Sequence, residues 1–225
     1  MGKLLSVNLA VPRANGTKQV GITGIDKRPA AGPVLVRAPG PKGAGLGSGL
    51  AGDQVFDIAH HGGDDQAVYA YAREDLDAWA AELGRTLPGG VFGENLTTAG
   101  VDVTGALIGE RWRVGDEVEL EVAVPRIPCG TFAAWMAQGT ADRPAGPGWI
   151  KRFTARAVPG AYLRVLVPGQ VSAGDPITIV SRPDHDVTIG VTFRALTLES
   201  ELLPRLRTVE ALPAEVRETA NRRTN

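Results

Sequence analysis

A mainly β fold with helices, built as a barrel-like body and followed by a small helical appendage, is what the sequence predicts, and three observations carry that expectation. Glycine (29) and proline (16) supply about a fifth of the 225 residues while aromatics reach only 5%, a composition of many short strands joined by turns rather than of a helical bundle. Residues 117–124 alternate strictly, with Val118, Leu120, Val122 and Val124 against Glu117, Glu119 and Glu121, the period of a half-buried strand. After Pro183 the pattern changes to leucines at helical spacing.

The elements follow in order. Residues 4–11 and 18–23 flank Asn15-Gly16, whose tolerance of positive φ predicts an opening hairpin. Residues 32–52 are dense in glycine and proline, and 39–49 read as a plain surface linker; the stretch lacks the Gly-Lys-Ser/Thr ending of a phosphate-binding loop. Residues 66–71 read as a strand. Leu76, Trp79, Ala80 and Leu83 fall at i, i+3, i+4 and i+7 ahead of Gly84, which predicts an amphipathic helix over 73–83. Residues 161–167 and 177–180 are further strands, and Gly115-Asp116 and Gly174-Asp175 each place a turn before a strand, a faint internal echo that suits a barrel. Pro204 and Pro213 break the tail into short helices. The expected units are residues 1–182 and 183–225.

Charge excludes some partners. Lys plus Arg number 24 against 25 Asp plus Glu, so no bulk field attracts nucleic acid or an anionic membrane, and any anion is gripped locally. No apolar run approaches the roughly 18 residues of a membrane span and no signal-peptide core is evident. With a single cysteine, Cys129, there is no internal disulfide. The expected location is the cytoplasm.

Chemistry concentrates at Pro125-Arg126-Ile127-Pro128-Cys129-Gly130. A strand end, two φ-locked prolines and a helix start hold the thiol in place. Proximity to a helix N-terminus and to Arg126 favours the thiolate, which binds metals and attacks electrophiles; the alternative is a small buried hydrophobe. His60-His61-Gly62-Gly63 puts two of the three histidines side by side. In an extended segment they point in opposite directions, so one site uses one of them, and the glycines permit a sharp turn or close approach to a ligand. A zinc site from a histidine, Cys129 and Asp53 or Asp57 lacks the usual local ligand spacing. Glu94 and Asn95 offer a base and an orienting amide, or a plain turn. Lys27 and Arg28 supply fixed positive charge, and His185 reads as a solvated loop residue. No Gly-x-Ser-x-Gly elbow or nucleotide fingerprint is present.

In their order along the chain, Thr23-Gly24-Ile25-Asp26-Lys27-Arg28-Pro29, Gly49-Leu50-Ala51-Gly52-Asp53, His60-His61-Gly62-Gly63, Ala67-Val68-Tyr69-Ala70-Tyr71, Gly93-Glu94-Asn95-Leu96-Thr97 and Pro125-Arg126-Ile127-Pro128-Cys129 resemble the successive motifs of MOSC-domain proteins, named for the C-terminal domain of molybdenum cofactor sulfurases. Residues 4–180 carry the resemblance, which is greatest to the stand-alone bacterial branch that reduces N-hydroxylated nucleobase analogues and ends in a three-helix domain. It implies a β-barrel-like MOSC fold and a molybdopterin-type molybdenum cofactor, with Cys129 as catalytic residue and protein sulfur ligand to the metal. Lys27, Arg28, His60, His61, Gly62, Gly63, Asn95 and Arg126 form the implied cofactor-binding set, with Lys27 and Arg126 toward the phosphate or the metal. The implied reaction is reduction of an N-hydroxylated or N-oxide substrate, such as a hydroxylaminopurine, by electrons from an external flavin or iron–sulfur reductase, since the chain has no flavin or iron–sulfur motif of its own. A homodimer is among the partner readings. The chain departs from the family at Gly130, where an aromatic residue is common, and at Gln66, where a lysine is common. Two other readings stand beside this one: a sulfur carrier working through a persulfide on Cys129, and a carrier that passes the cofactor on without turnover.

Overall fold

The computed structural model describes residues 2–16, 18–138 and 146–224. In chain order the strands are β1 (Gly2–Ala10), β2 (Arg13–Ala14), β3 (Ile22–Thr23), β4 (Lys27–Pro29), β5 (Val34–Val36), β6 (Val68–Ala72), β7 (Leu96–Ala99), β8 (Arg111–Val114), β9 (Val118–Pro125), β10 (Ala161–Val167), β11 (Gly169–Val171) and β12 (Pro176–Ser181). The helices are α1 (Arg73–Leu83), α2 (Gly130–Ala137), α3 (Trp149–Arg156), α4 (Ile189–Thr197), α5 (Leu203–Leu206) and α6 (Ala214–Thr224).

Seven strands close into a barrel in the order β12-β8-β9-β10-β6-β7-β1, and pairing of Gly2 with Ile177 joins β1 back to β12. All of these neighbours are antiparallel except β6 and β7. A parallel pair needs a crossover of about a dozen residues or more, and α1 lies in it. The alternation of the strands sorts their side chains between two cores. Val68, Ala70 and Ala72 of β6 point into the barrel with Leu4, Leu120, Val122, Leu163 and Ile177, while Tyr69 and Tyr71 of the same strand point out. Outside, α1, α2, α3 and α4 cover them with Trp79, Phe132, Trp149, Phe153 and Phe193 around Phe92. Phe92 meets Phe132 edge-on at 5.5 Å and Tyr71 at 5.0 Å, pairs worth about 0.5–1.5 kcal/mol each beyond their area.

Beyond β12 the tail docks on the barrel. Val187, Ile189, Leu203, Leu206, Val209 and Leu212 join the barrel core, and the amides of Ile108 and Ile189 bond the carbonyls of Val187 and Ala106. His185 is therefore no free loop residue: its ring bonds the Ile108 carbonyl at 3.0 Å and the Val187 amide at 3.2 Å. Among the described residues no helix is long and apolar enough to cross a membrane.

Two further expectations from the sequence are corrected. β1 does not form a hairpin with residues 18–23. It pairs with β4, β7 and β12, which buries Leu4 and Val7, whereas residues 18–21 have one apolar side chain, Val20, and it stays 43% exposed; only a two-residue ribbon, β2 with β3, forms there. Nor is 39–49 a plain linker. Leu46 bonds back to Pro39 at 2.7 Å, the Gly49 amide reaches the Ala67 carbonyl at 2.7 Å, and Gly47 accepts from the Gly63 amide at 2.9 Å. The segment is a folded platform beneath the His60–Gly63 turn.

Candidate functional site

β9 ends at Pro125 and α2 begins at Gly130, leaving Cys129 at the helix N-cap in an extended conformation. Between them Arg126 turns inward. Its guanidinium is buried, donates to the Phe92 carbonyl, and lies over the rings of Phe132 at 4.3 Å and Tyr69 at 5.1 Å. Among the described residues no carboxylate pairs with it; the acidic hydroxyls and the thiol around it are those of Tyr69, Tyr162 and Cys129. A buried cation without a carboxylate is costly unless something else compensates its charge, and the thiolate of Cys129 is placed to do so.

Burial of Cys129 opposes the thiolate, yet a hydrogen bond from His61, the charge of Arg126 and the amide of Phe132 outweigh it and bring the thiol down to about 6. At neutral pH the sulfur is mostly an anion. It sits in a cleft of roughly 760 Å³, counted out to bulk solvent, with Arg126, His61, Lys27, Thr131 and Tyr162 among its walls. The rest of the lining includes the apolar side chains of Val20, Ile22, Ile25, Val55, Phe56 and Ile127. Beside the sulfur, a Cβ on Gly130 would meet nothing within 4 Å.

The other residues singled out in the sequence are placed as follows. His61 faces the cleft, while the side chain of His60 is 70% exposed and bonds Asp57 at 2.8 Å. Gly62 and Gly63 have φ of +78° and +82° and lie against backbone; a Cβ would stand 2.4 Å from the Gly47 carbonyl oxygen or 2.6 Å from the Lys42 nitrogen. Only glycine tolerates both the conformation and the contact, so the pair seats the histidine turn on the 39–49 platform. Lys27 borders the cleft, but its ammonium is held by Asp53 at 2.5 and 2.6 Å. Asp53 also accepts from Ser48, Asn95 and the Ala10 amide, and these bonds and the Lys27 charge hold its carboxyl below the usual range despite burial. Asn95 spends its amide on Asp53, the Asn8 carbonyl and the Tyr69 amide. Arg28 lies outside the Cys129 cleft. With Arg13 it grips Asp26 at 3.1 and 2.7 Å on the floor of a neighbouring cleft that shares Asn15, Thr23, Ile25 and Thr131 with the first. Glu94 is buried and ties down the preceding turn, accepting from the amides of Gly90 at 2.6 Å and Phe92 at 3.0 Å and from the Thr97 hydroxyl at 3.0 Å.

Among the described residues no three His, Cys, Asp or Glu side chains converge on a metal position, so the zinc set considered from the sequence is not assembled. Sequence reasoning did not single out Tyr162 or Lys18, both in the cleft wall. Tyr162 stands on a strand that was expected, and its polar tip on the outward face of the alternation was the available signal.

Comparison with known proteins gives a consistent answer. The family model for the MOSC domain matches residues 57–178. YflK of Bacillus subtilis (strain 168), an uncharacterised protein, is 32% identical over 189 residues, covering 83% of this chain and 76% of YflK. A protein of Gibberella moniliformis named as a reductase is 32% identical over 139 residues, 60% of this chain but 23% of its own length. The crystal structure of YiiM from Geobacillus stearothermophilus aligns over 100% of both chains with a TM-score of 0.75 and 26% identity.

Proposed function

This chain belongs to the MOSC domain family, and from that premise we propose that it binds a molybdopterin-type molybdenum cofactor through Cys129 and reduces N-hydroxylated compounds. The observation that carries the reading is the thiol itself: held to about 6 by His61 and Arg126, open to a cleft, and, among the described residues, without the partners that a fully protein-ligated metal requires. One soft thiolate suits a metal that arrives with its other ligands, whereas a lone sulfur is too few donors for a structural zinc. The space beside Gly130 leaves room at the sulfur, and Lys18, loosely paired with Asp57 at 3.6 Å, and Arg126 bring positive charge to the cleft for an anionic group. The donor set therefore fits the cofactor that the family implies.

When bound, the cofactor supplies a two-electron redox metal for removing an oxygen atom. The chain's own residues do the rest. His61 and Arg126 keep the sulfur deprotonated, and Arg126 is itself held by the carbonyl of Phe92, whose amide donates to Glu94. The apolar lining residues of the cleft limit water around a bound ligand, and Thr131 and Tyr162 add polar groups to the same lining. The overall change is R–NH–OH + 2e⁻ + 2H⁺ → R–NH₂ + H₂O, with electrons from an external flavin or iron–sulfur reductase. The reductase name of the Gibberella relative points the same way.

The test is to purify the protein from a host that makes the cofactor, measure molybdenum per chain, and assay reduction of 6-hydroxylaminopurine with a reduced viologen dye. The expected result is stoichiometric metal and conversion to adenine, both lost in Cys129→Ala. No metal together with a cyanide-labile sulfur on Cys129 would instead identify a persulfide carrier, and bound metal without turnover a cofactor carrier.

A further inference from the structure

Tyr69 and Tyr162 lie beside Arg126, Tyr71 meets Tyr69 at 6.2 Å, and two of these three tyrosines have their hydroxyls occupied. Tyr69 donates to the Pro159 carbonyl at 2.7 Å and Tyr71 to the Val158 carbonyl at 2.8 Å. Tyr162, on β10 opposite Val124 of β9, stacks on Tyr69 at 5.0 Å, but among the described residues its hydroxyl has no hydrogen-bond partner. The ring lies in the wall of the cleft that holds Cys129 and Arg126. A polar tip in such a place ordinarily has a partner, and the partner left to it is whatever enters the cleft.

We propose that Tyr162 is a catalytic residue that reads the substrate: its hydroxyl donates a hydrogen bond to the oxygen of the N–O bond that is broken. Burial, and the negative sulfur nearby, hold the phenol above its ordinary range in spite of Arg126, so it is a donor throughout the physiological range. In the reaction the N–O bond breaks, two electrons come from the external reductase, and two protons complete the amine and water; Tyr162 begins and ends as the neutral phenol. The donor stabilises charge as it collects on the departing oxygen. It also distinguishes a hydroxylamine from the amine product, which lacks that oxygen. The inference rests on the reductase reading for its catalytic part and on the cleft geometry for its binding part.

Tyr162→Phe removes one oxygen atom and keeps the ring stack on Tyr69, so the variant is expected to fold with unchanged molybdenum content and melting temperature. Two measurements apply. For the cofactor-loaded protein, kcat/KM for 6-hydroxylaminopurine is expected to fall about tenfold or more, on the order of one lost hydrogen bond strengthened in the transition state. By isothermal titration, the wild type is expected to bind 6-hydroxylaminopurine several-fold more tightly than adenine, and Tyr162→Phe to bind the two alike. Unchanged kcat/KM, or discrimination that survives in the variant or is absent from the wild type, overturns the proposal. A wild type that fails to reduce the compound yet discriminates through Tyr162 would sink the reductase reading and leave Tyr162 as the residue that binds the hydroxyl.

Discussion

Replacing His61 with alanine removes the largest of the interactions that favour the Cys129 thiolate. The thiol is lowered from 9.0 to about 6, so at pH 7 about nine-tenths of it is ionised, against roughly 1% for an unperturbed group. Loss of a single close, charge-favouring partner moves a pKa by about 1–3 units, which places the variant between about 7 and 9 and its thiolate fraction at pH 7 between roughly one half and 1%. Alkylation of Cys129 by iodoacetamide at pH 7 should therefore slow by about 2- to 90-fold, while at pH 10, where both proteins are ionised, the rates should agree within about a factor of two. A profile of rate against pH measures the inflection directly. An inflection unmoved in His61→Ala would refute the assignment of His61 as the principal partner of the sulfur. The same group also sets a stability trend. Because the folded value lies below the unfolded one, the thiolate's contribution is fully present above about pH 9 and is lost as pH falls through about 6. The melting temperature of the wild type relative to Cys129→Ala should thus rise between those limits.

Other perturbations test the frame around the thiol. Asp53→Ala leaves the Lys27 ammonium unpaired at a site where its side chain is only 9% exposed, and should cost about 3–5 kcal/mol in urea unfolding; a change below about 1 kcal/mol would mean that water reaches the site. Glu94→Ala strands the Gly90 and Phe92 amides, which predicts a loss of about 2–4 kcal/mol and a thiol inflection shifted upward as Arg126 loosens, with Glu94→Gln intermediate. An unshifted inflection would show that the turn does not govern Arg126. Asp75 is held at about 6 by burial and by the nearby Asp102 and Glu74. Its folded value lies above the unfolded one, so stability is lost as pH rises from about 4 to 6, and Asp75→Asn should raise the melting temperature at pH 8 but not at pH 3.5.

Much of this was legible in the chain, for identifiable reasons. Local periodicity located α1 at residues 73–83 and β10 at 161–167, because a helical stripe or an alternating strand declares itself within a few residues. It could not show that β6 and β7 run parallel or that β1 closes the barrel on β12, since those are long-range pairings. The 39–49 stretch looked like a linker because glycine reports permission to bend and not what the backbone then touches. Its contacts with Ala67 and Gly63 are backbone to backbone and leave no trace in side-chain pattern. α3 carries only two buried anchors, Trp149 and Phe153, too short a signal beside its glycines. At the site, Arg126 and Cys129 lie on one φ-restricted segment, so their nearness follows from sequence. The segment of His60 and His61 is not extended as expected: both amides bond the Asp57 carbonyl in a turn, and that turn, rather than strand alternation, leaves His60 exposed while His61 borders the cleft. That the charge of Lys27 is spent on Asp53, and that Tyr162 reaches the same cleft, depends on strands far apart in sequence.

The central claim is that Cys129 is the protein's sulfur ligand to molybdenum. X-ray absorption at the molybdenum edge of the cofactor-loaded protein tests it most directly when the wild type is compared with Cys129→Ser. The account predicts one fewer sulfur neighbour in the variant; an unchanged sulfur count with the metal still bound would contradict it.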